Sequence, residues 1–204
     1  VEPATTVVVY GDQGGLWAAY VYWVLRYWGH GDVRLLDGGH GAWTSEGRPL
    51  VTEVPRVTPT QYPPPAGADR TLRANLVEVA AQVGDGGIGL IDSRSEGLYR
   101  GAPPEGCPFP MAHRHGHIPG AVNVGWPTLF DPETFRFLDP GELRERYEQA
   151  GVRWDRPVVS YCFVGAASAL TFVVLADHLG HPDVRNYDGS WMEWGGAIAT
   201  PVED

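Results

Sequence analysis

Cys162 is the residue of this sequence whose type and position best suit covalent chemistry. It follows an apolar run at 158–161, which is typical of a buried strand, and it precedes small residues that lead into a helix. Backbone N–H groups converge at such a turn and the helix dipole adds positive potential, so a thiol there is expected to exist substantially as thiolate. A thiolate is a nucleophile without a neighbouring base, and the same N–H groups can stabilise a persulfide or a charged substrate group. The competing interpretation is a small, inert, buried cysteine.

An internal repeat indicates which elements position this cysteine. Shifting the sequence by 151 residues aligns 7–43 with 158–194 without a gap, and 13 of the 37 pairs are identical. The first copy has Gly11 where the second has Cys162. Because one copy has the same pattern without the thiol, the fold does not require Cys162.

Each copy of the repeat predicts strand, helix and strand. Strands are expected at 5–10 and 33–36 and again at 158–161 and 184–187, with helices at 16–28 and 166–179 between them. Short connections between such elements form a βαβ unit, which implies a parallel sheet with helices on its faces. Before the second copy, helices are predicted at 71–83 and 143–150, and a buried strand at 89–92.

The segment 49–70 is rich in Pro and Gly and lacks periodicity, so it is predicted to be a linker. We therefore expect an α/β protein with a complete domain at 71–204 and, at 1–48, the C-terminal half of a domain that precedes it. The expected partner is the N-terminal segment missing from that first domain, on the same or a separate chain.

Composition narrows the class of protein. The formal net charge is −10 and all fifteen cations are arginines, which argues against a nucleic-acid partner. Two cysteines are too few for a disulfide scaffold, so a reducing compartment is expected. No apolar run of about 18 residues occurs, so we predict a soluble, cytoplasmic protein with no membrane partner.

Three motifs carry a resemblance to a known family. They are GHIPGA at 116–121, the Tyr161-Cys162 turn, and VRNYDGSW at 184–191 followed by EWG at 193–195. Together they resemble a rhodanese and, more narrowly, the tandem thiosulfate and 3-mercaptopyruvate sulfurtransferases. The resemblance implies two rhodanese-like domains, each a parallel sheet flanked by helices, of which the first is inactive and present only as its C-terminal half.

The resemblance implies a two-step exchange in which Cys162 is the catalytic nucleophile. The thiolate takes a sulfane sulfur from a small-molecule donor, releases sulfite or pyruvate, and passes the sulfur to cyanide or a thiol. No cofactor and no metal are expected. Thiosulfate is favoured as donor, because NYDGSW at 186–191 and YRG at 99–101 resemble bacterial thiosulfate sulfurtransferases most.

The resemblance also suggests substrate-binding residues. The predicted cradle for the sulfur is formed by Phe163, Val164, Gly165, Ala166, Ala167 and Ser168. Family members that prefer thiosulfate carry cations in this loop, whereas Phe163 and Val164 are neutral. Arg100 and Arg114 are therefore candidates for binding an anionic donor, and Ser190 for contacting the site.

Other conspicuous residues receive structural interpretations. Asp92 and Arg94 are predicted to form an ion pair that shapes the following loop, and Trp191 and Trp194 to lie in the core or at the cleft rim. His113, His115 and His117 alternate, but no Cys or carboxylate lies at metal-ligand spacing. Cys107 is interpreted as an incidental loop residue.

Of three alternative functions, the sequence disfavours the first and leaves the other two open. A phosphatase of rhodanese-like fold needs an Arg closing its loop, and no Arg lies between Cys162 and Arg185. The donor can instead be 3-mercaptopyruvate. The chain can also be a non-catalytic rhodanese-like module for binding or for passive sulfur carriage.

Overall fold

The strands form parallel sheets, as the βαβ pattern predicts. The computed structural model of the chain describes residues 1–63, 66–103 and 114–204, except the side chain of Gln13. Its strands are β1 (Val7–Val9), β2 (Val33–Leu35), β3 (Gly89–Asp92), β4 (Val122–Asn123), β5 (Val158–Tyr161) and β6 (Val184–Asn186). Strands β1 and β2 pair with each other, and the other four form a sheet in the order β4-β3-β5-β6. Every pairing is parallel, so the predicted α/β fold is confirmed.

Helices cover both faces of the four-stranded sheet. They are α1 (Leu16–Tyr27), α2 (Gly39–Ser45), α3 (Leu76–Gln82), α4 (Glu96–Tyr99), α5 (Pro140–Gln149), α6 (Ala166–Val173) and α7 (Ser190–Trp194). Alternate strand residues point to opposite faces. Ile91 and Val158 join one buried cluster with α1, α5 and α6, while Leu90 and Val159 join a second cluster with α3 and α7.

The first repeat copy packs directly on the second. Helix α1 lies against α6 in a shared core. At its edge the Tyr22 hydroxyl donates to Asp177 Oδ2 at 2.7 Å. A backbone hydrogen bond also recurs at equivalent positions: His40 N donates to Gly11 O at 3.1 Å, and Trp191 N donates to Cys162 O at 3.0 Å. The copies thus share local geometry, and the division into two domains stays a prediction.

The predicted helix over 71–83 was wrong at its start. A 3-10 turn occupies Arg70–Leu72, the chain then extends, and the helix begins only at Leu76. Arg73 forms a parallel bridge with Asn186, which holds the chain extended there. Asn75 and Glu78 then form a reciprocal capping box, each side chain accepting from the other's backbone N–H at 3.0 Å.

The structure also bears on the end of the helix predicted at 166–179 and on the predicted linker. The predicted helix 166–179 changes to π-type hydrogen bonding at Val174–His178. Residues 49–63 and 66–69 contain neither helix nor strand, as expected of a linker. Within the described ranges, no helix combines the length and apolar character needed to cross a membrane.

Candidate active site

Cys162 lies immediately after β5, at the carboxyl end of an inner strand of the sheet. Strand β5 is flanked by β3 and β6, and all four of its residues are buried. In parallel sheets the carboxyl ends of neighbouring strands meet at one edge, where ligands usually bind. Asp92 ends β3 and pairs in register with Tyr161, so the loops after both strands begin at the same edge.

The turn that follows, residues 162–168, directs hydrogen-bond donors at the Cys162 sulfur. Gly165 adopts a left-handed conformation with φ 90°, which places its N–H 3.1 Å from Sγ. Ser168, in the first turn of α6, donates its hydroxyl to Sγ at 3.5 Å. N–H and O–H donors near a helix N-terminus stabilise negative charge on sulfur. Of the six residues that the sequence predicted as a cradle, Gly165 and Ser168 therefore direct donors at the sulfur, and the binding role of the whole turn stays a prediction.

The neutral residues of the turn form its outer part. Val164 is exposed at 40%, whereas Ala166, Ala167 and Cys162 itself are buried. The Phe163 carbonyl accepts a hydrogen bond from Met192 N at 3.1 Å, which ties the turn to α7. The outer part of the Cys162 turn is thus apolar, because its side chains carry no charge.

Ser190 supports Cys162 from the beginning of α7. Its hydroxyl accepts from Cys162 N–H at 3.0 Å and donates to Tyr187 O at 2.9 Å. The same oxygen is 3.9 Å from Sγ. Ser190 holds φ 54°, and the equivalent residue of the first repeat copy is Gly39 with φ 53°. A non-glycine residue in this region is strained, so the contact with Cys162 offsets a conformational cost.

Asp92 and Arg94 form the predicted ion pair. Both side chains are almost fully buried, and Arg94 Nε donates to the two Asp92 oxygens at 3.0 Å each. Arg94 also donates to Gly116 O at 2.7 Å and lies over the Trp191 ring, 4.4 Å from its centroid. The guanidinium therefore joins β3, the GHIPGA segment and α7, and the structural interpretation is confirmed.

The two predicted donor-binding arginines are occupied elsewhere. Arg100 pairs with Glu96 Oε1 at 2.8 Å and remains 71% exposed. Arg114 donates to Trp194 O at 2.8 Å and also to Ala197 O and Thr200 O, so it anchors the C-terminal segment. The structure brings neither guanidinium into hydrogen-bonding contact with the described residues of the Cys162 turn. Their role in donor binding stays a prediction.

Some of the remaining predicted residues are buried in the core, and others lie outside the residues that the structure describes. Trp191 and Trp194 are buried, with Trp194 Nε1 donating to Pro201 O at 2.8 Å. The His117 ring stacks on Tyr99 with centroids 3.8 Å apart. Cys107 and His113 lie outside the described residues.

Two residues near the site were not found from the sequence. Arg73 forms an ion pair with Asp188 at 2.7 Å, and Asp188 packs against Gly165 of the Cys162 turn. The second residue, Tyr20, belongs to α1: burial raises the pKa of its hydroxyl, Asp188 raises it further, Arg73 lowers it and Cys162 raises it. Neither residue belongs to a local motif, so only the packing of α1 and the 70–72 turn places them here.

Comparisons with known proteins agree with this geometry. The family described as "Rhodanese-like domain" matches residues 75–197. The chain is 43% identical over 203 residues to a protein of Thermus thermophilus named "Sulfur carrier protein TtuD", covering 97% of this chain and 70% of that protein. It is 39% identical over 201 residues to a protein of Saccharopolyspora erythraea named "Putative thiosulfate sulfurtransferase", covering 98% and 70%.

A solved structure shares the fold across the whole chain. It is the anaerobic ergothioneine biosynthesis enzyme of Chlorobium limicola in complex with trimethyl histidine, with a TM-score of 0.86 at 24% identity. The match covers 100% of this chain and 52% of that protein, so the chain spans about half of its length. The family match and the identities to the bacterial relatives lead to one conclusion: the chain belongs to the rhodanese family.

Proposed function

We propose that the chain is a sulfurtransferase that moves a sulfane sulfur from thiosulfate to cyanide or a thiol through a persulfide on Cys162. The observation that carries the proposal is the Gly165 N–H, 3.1 Å from Sγ at the start of the buried helix α6. A donor in that position stabilises the thiolate before attack and the terminal sulfur charge afterwards.

The proposed chemistry is balanced in each step. The Cys162 thiolate attacks the outer sulfur of thiosulfate, an S–S bond forms, and the bond to the sulfonate sulfur breaks. Sulfite leaves with the electron pair of that bond, and Cys162 keeps an anionic persulfide. The acceptor then attacks the terminal sulfur, which leaves as thiocyanate or a new persulfide while the Cys162 thiolate is regenerated.

Persulfide detection tests this function. Incubation with thiosulfate is expected to add the mass of one sulfur atom to the peptide that contains Cys162, and cyanide is expected to remove it with release of thiocyanate. Cys162→Ser is expected to abolish both observations. The matched control is Cys107→Ser, the other cysteine of the chain, which is expected to keep both. Persulfide formation in the Cys162→Ser protein, or none in the unmodified chain, contradicts the proposal.

The donor can differ without a change in the nucleophile. Phe163 and Val164 put neutral side chains in the turn where cations would favour thiosulfate. For this reason 3-mercaptopyruvate stays the alternative donor. Comparison of kcat/KM for thiosulfate and 3-mercaptopyruvate distinguishes the two. A higher value for 3-mercaptopyruvate moves the assignment to that donor.

Sulfur carriage is the second candidate function. It is favoured by the 43% identity to the protein named "Sulfur carrier protein TtuD". A passive carrier is expected to accept one sulfur per chain and to release it to a partner protein thiol but not to cyanide. Many turnovers with cyanide contradict passive carriage.

We also propose that a further segment of the same protein covers the exposed apolar surface beside β1. This surface includes Val8, Tyr10, Leu50 and Val51, with exposed fractions from 54% to 83%, around a cavity of about 400 Å³. Surfaces of this kind usually bind another protein segment. Addition of the aligned relatives' extra segment is expected to protect the amides of β1 and β2 from hydrogen exchange. Unchanged exchange contradicts this partner.

A further inference from the structure

An ion pair at the contact between the two repeat copies lies close to the Cys162 turn. Arg73 Nε donates to Asp188 Oδ1 at 2.7 Å, with side-chain exposures of 43% and 19%. The Arg73 guanidinium also lies 5.9 Å from the centroid of the Tyr27 ring in α1. Its position is therefore set by both copies.

The backbone fixes this pair relative to the sulfur. Ala74 N donates to Asn186 O at 3.0 Å, so Arg73 runs beside the end of β6. Two residues later, the backbone oxygen of Asp188 is 2.8 Å from the position that a Cβ on Gly165 would occupy. Gly165 in turn donates to the Cys162 sulfur. Contacts between adjacent groups thus connect Arg73 to Sγ.

Helix α1 also holds the chain beside Arg73. Trp23 Nε1 donates to Leu72 O at 3.0 Å, and Leu72 is the residue before Arg73. The Trp23 ring in turn stacks on Tyr20 of the same helix, with centroids 5.8 Å apart. The position of Arg73 is therefore fixed by the packing of α1 as well as by the bridge to β6.

The charges of the Arg73–Asp188 pair make it a candidate for recognition of the sulfur donor. The side chains of the Cys162 turn are neutral, and Asp188 repels an approaching dianion. Arg73 neutralises Asp188 through Nε and has further N–H donors on a partly exposed guanidinium. We propose that Arg73 binds the sulfonate end of an anionic sulfur donor at the Cys162 turn. This inference rests on the proposed function and names its anion-binding residue.

Binding without turnover tests the inference separately from the chemistry. Calorimetry with thiosulfate uses the Cys162→Ser chain as the reference and adds single changes to it. Arg73→Met is expected to weaken binding roughly 10- to 100-fold, the effect of losing a charge-assisted hydrogen bond. Arg153→Met is the matched control, because it removes an exposed arginine paired with Asp155 in the chain that enters β5, at the end of the strand opposite to Cys162, and it is expected to change binding less than about twofold.

Asp188→Asn distinguishes recognition from a structural ion pair. Asn keeps the Cα, Cβ and backbone oxygen that pack on Gly165, but it removes the negative charge beside Arg73. If Arg73 binds the anion, Asp188→Asn tightens thiosulfate binding by about threefold or more, and added salt weakens it. If the pair only maintains the fold, Asp188→Asn weakens binding as Arg73→Met does.

The outcomes decide the inference one by one. Loss of binding in Arg73→Met and tighter binding in Asp188→Asn support it. Equal binding in the Arg73→Met and Arg153→Met chains, at unchanged thermal unfolding, overturns it. Arg73-dependent binding in a chain whose Cys162 never forms a persulfide supports the anion site while refuting sulfur transfer.

Discussion

Gly165→Ala directly tests how the Cys162 turn is held. Gly165 has φ 90°, a region that costs a residue with a side chain about 1 kcal/mol. An added Cβ would lie 2.8 Å from Asp188 O and 2.9 Å from Asp188 Cα. Both contacts are with backbone atoms, which cannot rotate away, so the turn or the chain at Asp188 must move.

The size of the effect follows from two terms. Overpacking against backbone costs about 1–3 kcal/mol, which with the conformational term lowers the free energy of unfolding by about 2–4 kcal/mol. Displacement of the turn also moves the Gly165 N–H, now 3.1 Å from Sγ. Loss of a hydrogen bond to a charged sulfur, about 1.5–3 kcal/mol, is expected to lower the rate of persulfide formation about 10- to 100-fold.

Gly84→Ala is the matched control. Gly84 also has φ 90°, and a Cβ there meets no atom of the described residues within 4 Å. It is expected to cost only the conformational term, about 1 kcal/mol, and to leave the rate unchanged. Urea unfolding and the single-turnover rate with thiosulfate measure both quantities. If the two variants behave alike, contact between Gly165 and Asp188 does not hold the turn, and the reasoning is refuted.

Three further changes have defined outcomes. Arg94→Met leaves the buried Asp92 carboxylate uncompensated, so urea unfolding is expected to show a loss of about 3–5 kcal/mol; a loss below about 1 kcal/mol contradicts a buried pair. Ser190→Ala leaves Cys162 N–H without its acceptor and is expected to slow persulfide formation about tenfold, whereas an unchanged rate removes Ser190 from the site. Burial, and then the hydrogen bond to Asp177, raises the pKa of Tyr22 to about 12 from 10.0. The folded chain therefore favours the protonated phenol, and this stability is present below pH 10 and lost as pH rises to about 12. Urea unfolding is expected to show a loss of about 1 kcal/mol in the free energy of unfolding over this range, since solvent screens part of the pKa shift. The Tyr22→Phe chain should not show this loss.

Local pattern predicted the elements that carry the site. Strands β3 and β5 were predicted with the bounds observed, and α1 within one residue, because their apolar patterns and the glycine after α1 are local signals. The helix before β3 was misplaced, because Arg73 pairs with Asn186, which is distant in sequence. A long-range bridge of this kind has no signal in the neighbouring residues.

The candidate site was predicted unevenly for the same reason. Cys162, its turn and the Asp92–Arg94 pair lie within short stretches of sequence, and the structure brings these side chains into contact. Arg100 and Arg114 were chosen by position in a long loop, and packing directs their guanidinium groups to Glu96 and to the C-terminal carbonyls.

The sequence by itself determined the family and the parallel α/β sheet and predicted Cys162 as the nucleophile, because each depends on residue types at short, fixed spacing. Only the tertiary structure decided which charged groups approach the sulfur. Arg73 precedes Cys162 by almost ninety residues. It pairs with Asp188, which packs on the Cys162 turn, because the chain at Arg73 bridges to β6. Such proximity depends on how buried surfaces pack together, which no single segment of the chain specifies.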